Sequence, residues 1–182
     1  MKIKLLVTLI AVGLLSTFSI NAQTVKVGYT NIDFILSSIP DSKDVQTKLS
    51  TEKAQYDKLI QEKIAGFQKD YEDFQKLMQA GTVSAVIRQD KEKSLQNKQN
   101  EIQEFQQNSE TALQAKYQQL LSPVMDKIQK AIDEVAKANG YTYVFNSDAG
   151  AGTTPIVLVA PEQDNITTLV LKQMGVEVPA EN

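Results

Sequence analysis

The 182-residue chain contains neither cysteine nor histidine. Without cysteine there can be no disulfide, no thiol nucleophile and no attachment point for a lipoprotein anchor. Without histidine the commonest general base is missing too, and the two absences together remove nearly all zinc and iron ligand sets. Catalysis would have to rest on carboxylates or lysines, and these are spread along a solvated helical stretch with nothing to gather them into an acid–base site. The glycine-rich Gly150-Ala151-Gly152-Thr153-Thr154 lacks the lysine of a phosphate loop and leads into an apolar run instead of a helix, so it reads as a turn. Asn146, Asp148 and Gly150 begin a calcium-loop pattern, but no glutamate stands at its closing position. A protein that is not an enzyme and uses no metal or cofactor is expected.

Long apolar runs are scarce as well. The one present extends from Leu5 to Ile20, follows Lys2 and Lys4, and ends in Ile20-Asn21-Ala22, which is the pattern of a secretory signal over residues 1–22 with cleavage expected after Ala22. No second run is long enough to span a membrane. Such a signal sends the mature chain to an oxidising compartment, where the lack of cysteine leaves stability to packing or assembly. Lys2 and Lys4 leave with the signal, so the 19 basic residues fall to 17 against 22 acidic ones, a formal charge of −5. No basic patch stands clear of acidic neighbours, which argues against a nucleic-acid partner.

The chain is dominated by two long amphipathic segments between Asp41 and Asn139. On the outward one, Val45, Leu49, Tyr56, Ile60, Ile64, Phe67, Tyr71, Phe74 and Met78 recur at spacings of three, four or seven, the stripe of a helix. The return one carries Ile87, Leu95, Ile102, Phe105, Leu113, Tyr117, Leu120, Val124, Ile128, Ile132 and Val135, with Lys91, Lys98 and Ser109 at polar seam positions. Ala80-Gly81-Thr82 breaks the two apart, and helices joined so tightly run antiparallel. Pairs such as Lys58 with Glu62 and Lys98 with Glu101 mark a solvated face. Gly66, inside the outward helix, either allows close packing against a ring or serves as a hinge. Ser122-Pro123 is expected to kink or restart the return helix where arm meets body. Five apolar residues, Leu77, Met78, Val83, Val86 and Ile87, crowd the tip near 79–85. Of these, Met78 and Ile87 continue the stripes while Leu77, Val83 and Val86 are the better candidates for exposure and client contact.

The ends of the chain supply short strands. Val25, Val27 and Tyr29 share a face of the first; Asn31 caps a turn over 33–39 closed by Pro40, and Asp41 or Ser42 caps the long helix. After the helix stop at Asn139-Gly140, Tyr141, Tyr143 and Phe145 share a face of a second strand. Pro155 to Val159 is a continuous apolar run typical of a third strand covered on both sides. Asp164 or Asn165 caps a last helix from Ile166 to Met174 with Ile166, Leu169, Val170 and Met174 on its stripe, Gly175 stops it, and the tail from Val176 frays. Asn165-Ile166-Thr167 matches a glycosylation acceptor but reads better as that cap.

Val25-Lys26-Val27-Gly28-Tyr29 leading into Asn31-Ile32-Asp33, the long charged hairpin, the stretch from Pro123 to Ile132, the ending Asn139-Gly140-Tyr141-Thr142-Tyr143-Val144-Phe145, and Asp164-Asn165-Ile166-Thr167 follow one another in an order that resembles the Skp/OmpH family of periplasmic chaperones. The resemblance implies an α+β fold: a long antiparallel helical hairpin over 41–120, a coiled-coil arm, set on a small β body over 23–40 and 121–182 that trimerisation completes. It implies a periplasmic homotrimer whose arms enclose unfolded outer-membrane proteins without ATP. Val25, Val27, Tyr29, Tyr143 and Phe145 are the candidate trimer-body residues. Independent physics agrees, since three short strands and a terminal helix bury too little core and leave open edges. The chain is acidic where the well-studied family members are strongly basic, which weighs against carrying over binding to lipopolysaccharide or an acidic membrane surface. The other reading is a coiled-coil spacer or adaptor of the envelope with no client.

Overall fold

A computed structural model describes residues 25–81, 83–148 and 157–177; the signal stretch and the loop from Gly150 to Thr154 lie outside them. Strand β1 (Val27–Thr30) pairs in parallel with β2 (Tyr143–Asn146), Val27 opposite Tyr143 and Tyr29 opposite Phe145. Parallel strands need a long crossover. Here the crossover is α1 (Ile32–Ser38) followed by a helical hairpin, α2 (Pro40–Gln79) and α3 (Ala85–Ala138). After β2 come a 3-10 turn (Glu162–Asp164) and α4 (Thr167–Gln173).

Local chemistry sets the boundaries. The Asn31 side chain accepts from the Phe34 amide at 2.8 Å and starts α1. Pro40 does not merely close α1: it is the first residue of α2, after Ile39, and no side chain caps that end. Asp41 and Ser42 therefore lie inside the first turn instead of capping it, because a proline at the first position already removes one orphan amide. At about 1.5 Å per residue the 40 residues of α2 give an arm of roughly 60 Å. Gly81, at φ +68°, makes the turn, and Ser84 caps α3 by accepting from the Ile87 amide at 3.3 Å.

Helix α3 does not restart at Pro123 but continues through it for 54 residues. Leu120 on one side of the proline and Val124 and Ile128 on the other pack into the same core, which holds the helix across the lost hydrogen bond. Gly140, at φ +70°, ends it.

The core lies where α1, the base of the hairpin and α4 meet, with Ile35, Ile39, Ile128, Ile166, Val170 and Leu171 essentially sealed from solvent. Tyr141 precedes β2 instead of sharing a strand face with Tyr143 and Phe145, and packs against this core under Lys26, whose ammonium lies 3.9 Å from the ring centre. A Cβ on Gly28 would sit 2.9 Å from that ring, so the strand passes there only as glycine.

The third expected strand is absent where it is described: Val157 to Val159 is irregular, and Leu158 and Val159 are exposed. One edge of β1 is taken by β2 and the other by Asn165, with the Ile166 amide donating to the Tyr29 carbonyl at 2.9 Å, so β1 has no free edge to offer that run. Helix α4 starts at Thr167, one residue later than the sequence suggests, with Ile166 and not Asp164 or Asn165 in the capping position and no side chain capping it; the Asn165 side chain accepts from the Thr167 amide at 3.1 Å in the turn just ahead. Leu171 is buried on its stripe, whereas Leu169 is exposed. Val176 packs against the core instead of fraying.

Along the arm the seam is half-buried, as expected for Tyr56, Ile60, Ile64, Phe67, Phe74, Leu95 and Ile102. Tyr56 meets Phe105 edge-on at 6.2 Å. Tyr71, Ile87, Lys91 and Tyr117 are exposed although the periodicity put them on the stripes or seam. Lys58 pairs with Glu62 at 3.9 Å, but Lys98 turns across the hairpin to Asp70 instead of to Glu101.

Candidate functional site

Two apolar surfaces lie at opposite ends of the molecule. At the tip, Leu77, Met78 and Val83 are half-buried, while Val86 is 76% exposed and Ile87 is 50% exposed. The structure thus brings the five expected residues together but changes their roles. Ile87 does not continue the seam, because α2 has ended at Gln79, short of the level of the first turn of α3. Leu77 instead turns inward and, with Phe74 and Leu95, lines a groove of about 350 Å³ flanked by Asp70, Asp73 and Lys91.

At the other end, Val25, Val27, Tyr143 and Phe145 present a continuous apolar face on the two-stranded sheet, exposed from 41% at Phe145 to 60% at Val25. Their burial alternates along each strand as the pleat requires, with Gly28 and Thr30 turned to the core. Tyr29 departs from the group. It is half-buried, its hydroxyl donates to Glu162 Oε2 at 3.4 Å, and burial, followed by the Glu162 charge, raises its pKa above 10.0. Between this face and the Val157 to Pro161 segment lies an open cavity of about 590 Å³. Leu158 and Val159 enlarge the exposed apolar area here. The periodicity had placed them in a covered strand, and the one signal available, a run without polar alternation, does not say which partner covers it.

Gly66 is exposed, and a Cβ there would meet nothing within 4 Å. The close-packing reading is therefore overturned. Two seam acids had been missed: Glu52, 3.4 Å from Lys116, and Asp70, paired with Lys98. Each stands three or four residues from a stripe residue, a spacing that marks it in the sequence. The Lys98 ammonium, hydrogen-bonded to Asp70, holds that carboxyl below its ordinary value. Among the described residues no helix is long and apolar enough to cross a membrane.

A family model described as "Outer membrane protein (OmpH-like)" matches residues 26–174. The fold is similar to the crystal structure of a candidate outer membrane chaperone (OmpH-like) from Caulobacter crescentus, with a TM-score of 0.68 and 18% identity over 87% of this chain and 89% of that one. No curated protein matches the chain.

Proposed function

We propose, from the premise that this chain belongs to the OmpH-like family of outer membrane proteins, that it is an ATP-independent holdase chaperone of the periplasm. It takes unfolded outer-membrane proteins between its helical arms and keeps them from aggregating, with no enzymatic step. The observation that carries this reading is an arm of roughly 60 Å that ends in exposed Val86 and Ile87. A structural rod has no use for apolar residues at a solvent-facing end, whereas a surface that receives unfolded chains does.

The sheet face supports the second half of the proposal, a homotrimer. Two strands alone are marginal in water, and Val25, Val27, Tyr143 and Phe145 need a cover that no described residue of the chain supplies. Three copies pooling these faces would close the body and set three arms around one space, with the signal over residues 1–22 removed on export.

Because the mature chain has a formal charge of −5, client capture rests on apolar contact and enclosure, and binding should weaken little as salt rises. The test is to dilute a urea-unfolded outer-membrane barrel into buffer with the mature protein and follow light scattering. Suppression of scattering, reduced when Leu77, Val83, Val86 and Ile87 are changed together to Ser with helix content and assembly intact, is the expected result. No suppression by the wild type would leave a spacer. Full suppression by the variant would move the client surface to the sides of the arms.

A further inference from the structure

Among the described residues, the three ion pairs that join α2 to α3 and one cation–ring contact fall on one register. Asp41 pairs with Lys127, Glu52 with Lys116 and Asp70 with Lys98, while the Lys63 ammonium lies 5.4 Å from the centre of the Phe105 ring. The steps along α2 are eleven, eleven and seven residues, and the same steps taken backwards lead along α3. In each ion pair the acid is on the outgoing helix and the lysine on the return. Eleven residues are three turns and seven are two turns, each to within about 20°, so all four contacts share one edge of the arm. Tyr71 and Tyr117, each one residue beyond a rung, emerge exposed past the seam.

The three pairs are part-exposed, and pairs of that kind add little to stability. Their arrangement carries different information. On α3 the seam steps by three and four through Leu95, Lys98, Ile102, Phe105 and Ser109, a heptad pattern that maps onto itself when slid by seven residues. Over this stretch the spacing of seam positions alone does not exclude a slip by seven residues. The charges oppose it. A slip of seven one way sets Glu134 against Asp41, Pro123 against Glu52 and Phe105 against Asp70. The opposite slip sets Leu120 against Asp41, Ser109 against Glu52 and Lys98 against Lys63, and keeps only Asp70 with Lys91.

We propose that this one-edge ladder is the register code of the arm: it fixes where the hairpin turns, and with that the arm's length and the residues that reach its tip. A slip would draw seven residues into or out of the turn and displace Val86 and Ile87 from the end. The inference concerns the hairpin itself and does not depend on the chaperone reading.

The absence of native cysteine makes the test direct. Ser50→Cys and Gln118→Cys, both at exposed positions on facing helices, take spin labels, and the labelled mature protein is diluted with unlabelled protein so that only distances within one chain are read. Reversing the acids (D41K, E52K and D70K) should shift the label distance or split it into two populations, the second displaced by about 10 Å along the arm. Adding K98E, K116E and K127E should return the single wild-type distance. A wild-type distance in the three-fold variant would overturn the proposal, as would failure of the six-fold variant to restore it. If the three-fold variant loses its helix signal, recovery in the six-fold variant supports the code, and loss in both overturns it.

Discussion

In the body, the seven largest side chains that lie almost wholly out of solvent among the described residues include Ile35, Ile128, Ile166 and Leu171. Along the arm between Val45 and Val124, Ser109 alone among the described residues is buried. Both regions are built from the same apolar stripes, so composition does not make the difference. Geometry does: α1 and α4 close over the base of the hairpin, while further out the two helices have only each other, and every large apolar seam residue between Val45 and Val124 keeps one side in water. The body is thus held by area buried between segments far apart in sequence, and the arm by helix propensity and lateral pairing. A substitution should therefore cost most where it touches the body's cover and least where it removes one rung of the arm.

The largest effect is expected at Val27. In one chain it is half-exposed, and an exposed position of that kind normally tolerates change to within about 0.5 kcal/mol. If three copies share the sheet face, Val27→Asp places an unpaired carboxylate in a buried interface, at a cost of several kcal/mol. Size exclusion with light scattering should then find the trimer lost and circular dichroism should find the body melted, while the arm helices persist in part. A Val27→Asp protein that remains assembled and melts like wild type would show that the face is free, and the contrast between body and arm would lose its main support.

Much of this contrast could be read before any coordinates. The three- and four-residue spacing of large apolar residues carries the hairpin, because a helix buries one stripe whatever it packs against. Gly81 and Gly140 mark its ends, since both require positive φ. Four things were hidden for physical reasons. The Val157 to Val159 run is apolar enough for a covered strand, but pairing is a property of available edges, and Asn165 had taken the edge of β1. Pro123 breaks an isolated helix, yet packing of Val124 and Ile128 holds this one together. Tyr141, Tyr143 and Phe145 alternate as one face, but the turn after Gly140 aims Tyr141 at the core before the strand begins. At the tip, periodicity placed Ile87 on the seam without knowing that α2 stops at Gln79.

Gly66 sharpens the arm's side of the comparison with a gain instead of a loss. A Cβ there meets open space, and the helix continues on both sides, so Gly66→Ala should stabilise the arm by about 1 kcal/mol. The hinge reading adds a second outcome. If glycine provides the bending point of the arm, spin labels near the tips should give a narrower distance distribution in the variant than in wild type. A higher melting temperature with an unchanged distribution would reduce Gly66 to a weak point in propensity and leave the arm's bending to its whole length.

The smallest effect belongs to Asp70. Its hydrogen bond to Lys98 holds the carboxyl below its ordinary 3.8, against partial burial that pushes the other way. A carboxyl with a depressed folded-state pKa favours the folded state above that ordinary value, and the contribution disappears as pH falls through the folded value. Wild type and Asp70→Asn should therefore differ in helix melting at neutral pH and converge once the pH is well below 3.8. The difference should be small, since both partners are part-exposed, and it should shrink further at about 1 M salt, where the screening length is about 3 Å. Identical melting at neutral pH would mean that this rung adds no stability, leaving register as its one role in the arm. A difference that persisted below pH 3 would place its origin in packing against Phe74 and Leu77 instead of in the charge.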